Sequence, residues 1–137
     1  MPPRATLVYG IDTSVLVRLI TGHPAKHFEA TSDALQALFS REPTAELVAS
    51  NQVIGETYIT LQHHYGLTKP DAREGLGAFL ADGIVAPLNG AAVLQVLNEK
   101  GGAGLMDRLI AQDYEARGMN VLTNDRSMAK ILNARLL

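Results

Sequence analysis

Apolar residues change their spacing several times along this chain of 137 residues, and each change marks an element. Leu7, Val8, Tyr9 and Ile11 make the short apolar run of a buried strand, and the run stops at Asp12. Past two hydroxyl residues, Val15, Leu16, Leu19 and Ile20 repeat at helical spacing. Thr21-Gly22-His23-Pro24 breaks that helix, with glycine able to close it and proline able to open the next. Phe28, Leu35, Leu38 and Phe39 give the second helix an apolar face, which ends at Glu42-Pro43. Leu47-Val48-Ala49 is a brief strand. Ser50-Asn51 then supplies a cap for a helix carrying Val53, Ile54, Thr57, Tyr58, Leu61 and Tyr65.

Gly66 stops that helix, and Thr68 with Asp71 forms a capping box for another, whose stripe is Leu76, Phe79 and Leu80. Gly75 and Gly77 weaken it by roughly 1 kcal/mol each relative to alanine. Ile84-Val85-Ala86 is the third strand, and Val93, Leu94 and Leu97 mark a helix interrupted by Gly101-Gly102-Ala103-Gly104. Leu105, Met106, Leu109, Ile110 and Tyr114 line a further helix, which runs to Gly118. Val121-Leu122-Thr123 reads as a strand, Asn124-Asp125 as a turn, and Met128, Ile131 and Leu132 as a last short helix before a tail that offers a short edge strand. Strands alternating with helices predict one α/β domain over residues 1–137. Its expected form is a three-layer α/β/α sandwich with a central parallel sheet and right-handed crossovers.

Composition narrows the chemistry. Hydrophobic residues make up 47% and aromatic ones only 5%, so aliphatic side chains must build the core. The absence of cysteine excludes disulfides, thiol nucleophiles and thiolate metal sites. Met1-Pro2-Pro3-Arg4 has no signal-peptide h-region and no apolar run reaches membrane length, so a cytoplasmic protein is expected. A net charge of −2 argues against bulk capture of nucleic acid, yet leaves room for a basic rim around an acidic, metal-filled centre.

Four of the fourteen acids stand apart from the rest, which sit among polar, capping or turn residues. Asp12 lies at a strand-to-helix joint, where open α/β sheets place ligand sites, and Asp125 follows a strand in the same way. Asp107 opens an apolar helix just after the glycine-rich loop, where the helix N-terminus alone favours a carboxylate by about 0.3–1 kcal/mol. Glu56 borders the buried face of its helix; covering apolar surface with its stem is the competing role. Carboxylates gathered together raise one another's pKa, and a hard cation relieves the repulsion. Oxygen-only ligands select Mg²⁺ or Mn²⁺ over zinc. Two such ions about 3.5–4 Å apart can activate water, hold a scissile phosphate and stabilise the leaving oxygen.

Ile11-Asp12-Thr13-Ser14-Val15-Leu16-Val17-Arg18-Leu19 resembles the opening motif of PIN-domain ribonucleases, especially VapC-type toxins of toxin–antitoxin pairs. Ser50-Asn51-Gln52-Val53-Ile54-Gly55-Glu56 is similar to that family's second motif, and Gly104-Leu105-Met106-Asp107-Arg108-Leu109-Ile110-Ala111 to its third. Val121-Leu122-Thr123-Asn124-Asp125-Arg126 resembles the fourth, so order and spacing agree over nearly the whole chain. The resemblance implies that Asp12, Glu56, Asp107 and Asp125 hold one or two Mg²⁺ or Mn²⁺ ions and cleave single-stranded or structured RNA. It implies Thr13, Ser14 and Thr123 as supporting hydroxyls, with capping or turn bonds as their alternative role. It also implies a VapB-type antitoxin that inserts a segment into the acidic groove, and homodimerisation. Two departures are visible. Glycines precede Asp107 where the family often has an aromatic or acidic residue, and the segment after Asp125 is short, so an abbreviated last strand is expected.

Arg18, Arg108, Arg126 and Lys130 each follow a proposed ligand and make the natural basic rim for RNA phosphates, with solvated charge as the plain alternative. The apolar faces around Phe28 to Phe39 and Leu61 to Tyr65 are docking candidates, against a stronger reading as core. His23 and His27 stand four apart, but Pro24 occupies the place of the zincin glutamate. His63-His64 end a helix with no third partner in view. Neither a nucleophile elbow nor a P-loop occurs. A haloacid-dehalogenase-like phosphatase would also open on a strand-end aspartate, but it needs a second one where Ser14 stands. A non-catalytic PIN-like binding module is disfavoured because all four acidic positions are filled.

Overall fold

The computed structural model describes residues 6–137, so Met1-Pro2-Pro3-Arg4 lies outside the described residues. Short strands alternate with helices as the spacing predicts: β1 (Val8–Gly10), α1 (Thr13–Thr21), α2 (Ala25–Arg41), β2 (Glu46–Ala49) and α3 (Asn51–His63) come first. Then follow α4 (Lys69–Ala81), β3 (Val85–Pro87), α5 (Ala92–Asn98), α6 (Leu105–Glu115), β4 (Val121–Thr123) and β5 (Ala134–Leu136). All strand pairing is parallel, which confirms the α/β class. The central sheet is divided, however. β2 lies between β1 and β3, with Tyr9 opposite Leu47 and Leu47 opposite Val85, while among the described residues β4 pairs only with β5. Three-residue strands cannot carry a long ladder, and the flanking side chains Val8 and Leu122 are exposed instead of buried.

The core is aliphatic. Leu16, Leu47, Ile54, Leu61, Leu76, Val85, Val93 and Leu109 pack into one cluster, and Ala111, Val121, Met128 and Ala134 form a second, smaller one under β4 and β5. Leu61 is therefore core, which removes one of the two docking candidates. α2 contributes no fully buried residue, because Phe28, Leu35, Leu38 and Phe39 stay half-buried on its inner face.

Local chemistry explains the helix starts. Ser50 caps α3 by accepting the Val53 N–H at 3.2 Å, and Thr68 caps α4 by accepting the Asp71 N–H at 3.2 Å. The expected last helix is reduced to a single 3₁₀ turn at Met128–Lys130; Leu132 points into solvent, and only Met128 and Ile131 join the core. The tail does form the edge strand, abbreviated to three residues. Among the described residues no helix is long and apolar enough to cross a membrane.

Candidate active site

Asp12 follows β1 as the N-cap of α1, with extended backbone at φ −93° and ψ 178°. Its Oδ1 accepts the Ser14 hydroxyl at 2.7 Å and the Val15 N–H at 3.2 Å. The Ser14 bond foremost, then the Val15 N–H, hold its carboxyl below the usual range, so it is ionised at neutral pH. Thr13 turns the other way and donates to Glu56 Oε2 at 2.6 Å. Gln52, one turn earlier on α3, donates to Oε1 at 3.3 Å. Thr13 foremost and Gln52 after it keep the Glu56 carboxyl below its ordinary value. Two ionised carboxylates from different elements are thus linked by one residue, the threonine directly after Asp12.

Asp107 lies in the first turn of α6, whose cap is Gly104, and it faces a groove of about 1210 Å³ between α3, α4 and the loop before α6. The residues just before Glu56 and Asp107 touch across the two helices. A Cβ on Gly55 would stand 2.7 Å from Met106 Cε, so only glycine lets α3 and α6 approach this closely without displacing that side chain. Asp125 sits beyond β4. Its Oδ1 accepts the Ser127 N–H at 2.7 Å and the Met128 N–H at 3.3 Å, while its own N–H donates to Thr123 Oγ1 at 3.0 Å. Thr123 therefore shapes the Asp125 turn, as Ser14 and Thr13 shape the positions of Asp12 and Glu56.

Among the described residues no three acidic or histidine side chains gather closely enough to hold a metal ion. Each acid of the expected quartet except Asp107 is instead engaged by nearby hydroxyl, amide or N–H donors. The donor set remains all oxygen. Oδ2 of Asp12 and Oδ2 of Asp125 accept no hydrogen bond among the described residues. Such oxygens suit a hard divalent cation.

The basic rim is smaller than expected. Arg108 folds back onto its own loop, donating from Nε to Ala103 O at 2.8 Å and bonding Gly101 O and the Glu99 carboxylate as well. Gly102, at φ +70°, leaves room for the guanidinium, since a Cβ there would lie 2.9 Å from Nη2. A charge so occupied is a clamp for the glycine-rich loop and not a free phosphate ligand. Arg126 and Lys130 are exposed, and Arg18 lines a small pocket beside Thr13 and Ser14.

The residue that sequence reasoning missed is Asn51. It is 5% exposed at the start of α3, and its Nδ2 donates to Leu109 O and to Gln112 Oε1, both at 2.8 Å. Asn89 Nδ2 joins the same Gln112 oxygen at 3.1 Å and Asp113 Oδ1 at 2.9 Å. This network fixes α3 against α6, two residues beyond Asp107. Asparagine after a capping serine was the available signal, but it reads as a second cap.

The PIN domain profile matches residues 9–132. No curated protein matches the chain. Among solved structures, the chain is similar to one in the VapBC2 complex of Rickettsia felis bound to a DNA fragment from their promoter. That likeness has 19% identity over 96% of this chain and 98% of that one, with a TM-score of 0.41. With more than nine-tenths of its length inside that profile, the chain belongs to the PIN domain family.

Proposed function

We propose that this chain is a metal-dependent endoribonuclease and the toxin of a toxin–antitoxin pair. PIN domains are generally nucleases that use divalent metals. The observation that carries the reading here is the Thr13–Glu56 hydrogen bond, which ties the acid of the second motif to the residue beside the acid of the first. Asp12, Glu56, Asp107 and Asp125 are the ligands for one or two Mg²⁺ or Mn²⁺ ions. When bound, such a cation supplies charge neutralisation and Lewis acidity for phosphodiester hydrolysis. The chain's own residues do the rest. Ser14, Val15 and Thr13 keep Asp12 and Glu56 ionised and oriented, Thr123 fixes the Asp125 turn, and Arg18, Arg126 and Lys130 attract the RNA phosphates. Ser14 is engaged with Asp12 where a phosphatase would carry its second acid, which disfavours that reaction.

A VapB-type antitoxin is the proposed inhibitor, docking on the half-buried apolar face of α2, with homodimerisation as the accompanying assembly. The test is cleavage of defined RNAs with mapped ends, with Mn²⁺ and with EDTA. Cuts at defined sites that need the metal support the reading; undiminished cutting in excess EDTA rules it out. Growth arrest on expression, relieved by the product of the adjacent gene, separates a toxin from a housekeeping nuclease.

A further inference from the structure

A second, smaller pocket, of about 340 Å³, lies against α1. It is lined by Thr13 and Ser14, the hydroxyl residues bonded to Glu56 and Asp12. Arg18 on α1, His23 and His27 at the entry to α2, and Tyr65 after α3 line it as well. Among the described residues Arg18 makes no hydrogen bond or ion pair, and neither imidazole ring is hydrogen-bonded, so all three side chains have free polar atoms. The Tyr65 and His23 rings meet nearly at right angles, with centroids 5.9 Å apart and planes at 86°. No carboxylate lines this pocket, whereas Glu74, Glu99 and Asp107 line the larger groove.

A permanent cation, two imidazoles, a hydroxyl wall and an aromatic ring match the parts of a nucleotide: phosphate, sugar and base. The volume sits at the lower end of ligand pockets, about 300–1,000 Å³. We infer that this pocket is a ribonucleotide subsite, holding one nucleotide of the RNA next to the phosphate that is cut. Arg18 takes the phosphate, His23 and His27 contact phosphate or ribose, and Tyr65 meets the base. The inference rests on the nuclease reading for its role in cleavage, but nucleotide binding can be measured without it.

The chain has four histidines, and their ring Hε1 signals can be followed one by one in a proton NMR titration of the whole chain. The probes are 5′-AMP, 5′-UMP and, separately, inorganic phosphate. His23 and His27 signals should move and saturate with a nucleotide, while His63 and His64 stay still. Arg18→Ala should weaken that binding by at least about tenfold, with the His63 and His64 signals reporting an intact fold. In RNA cleavage, Arg18→Ala and His27→Ala should raise KM at least about fivefold with kcat little changed, as expected for contacts equally strong in ground and transition states. The inference is overturned if no histidine responds, if all four respond alike, if inorganic phosphate binds as tightly as 5′-AMP, or if KM is unmoved. Nucleotide binding in a chain that cuts no RNA would refute the nuclease reading and leave the pocket standing. Cutting with silent histidines would do the reverse.

Discussion

Replacing Asn51 by aspartate exchanges a donor for an acceptor at constant shape, in the middle of a buried network. Both of its partners are acceptors, Leu109 O and Gln112 Oε1, each 2.8 Å from Nδ2. Asn51→Ala removes two hydrogen bonds worth about 1 kcal/mol each. Better helix propensity returns up to about 0.7 kcal/mol, and so does relief of the unpartnered Oδ1, which leaves a net loss of about 0.6–2 kcal/mol. Asn51→Asp should cost more, about 3–5 kcal/mol at neutral pH, because it places an uncompensated charge against two oxygens. That approaches the whole stability of a small domain, about 5–15 kcal/mol. Burial and the facing oxygens raise the folded-state pKa of the new carboxyl above its unfolded value. Folding is then most favourable below the unfolded pKa, and stability is lost as pH rises through the folded one. Urea midpoints of both variants at pH 4 and pH 8 are the assay. Asn51→Asp should recover relative to wild type at pH 4, and Asn51→Ala should not. An aspartate variant equal to wild type at pH 8, or one whose deficit ignores pH, would refute the network as the clamp between α3 and α6.

Gly75 has open space where a Cβ would project and an ordinary helical backbone, so Gly75→Ala should stabilise by about 1 kcal/mol and raise Tm by about 3–5 °C. A lower Tm would show that α4 needs the glycine. Gly55→Val drives a branched side chain into Met106, and should cost about 1–3 kcal/mol in urea unfolding while reducing RNA cleavage more than stability alone explains. Gly55→Ala, facing only the flexible end of that methionine, should be milder. The lowered Asp12 pKa stabilises the fold above the unfolded aspartate value, near 4, and the gain is lost as pH falls through the folded value. Ser14→Ala should therefore narrow the fall in urea midpoint between pH 6 and pH 3; an unchanged fall would remove Ser14 as the cause.

Most helices were legible because their apolar stripes repeat at helical spacing, and three of them start on serine, threonine or aspartate. Ser50 and Thr68 cap as read, and the cap bond of Asp12 was the unstated half of its position at a strand end. The division of the sheet was not legible, since three-residue strands show their composition but not their neighbours. Leu132 misled because one apolar residue in a tail has no period to test. Tyr9 shows the same limit for side chains. Its hydroxyl donates to both Glu42 oxygens, at 2.9 and 2.7 Å, across 33 residues, and no local pattern marks Glu42 as anything but a solvated acid. In the candidate site, the sequence marks Asp12 and Asp125 after strands, Asp107 in the first turn of a helix and Glu56 inside one. Their surroundings are not legible, because Thr13, Gly55 and Asn51 act through contacts between elements far apart in sequence.

The central claim, that Asp12 and the acids around it hold a divalent cation for RNA cleavage, is tested most directly by Asp12→Asn. Mn²⁺ binding by calorimetry and cleavage of a mapped RNA are measured on the same folded sample. The account predicts weakened Mn²⁺ binding and loss of cleavage, with the fold retained by thermal unfolding. Wild-type cleavage in that variant would contradict it.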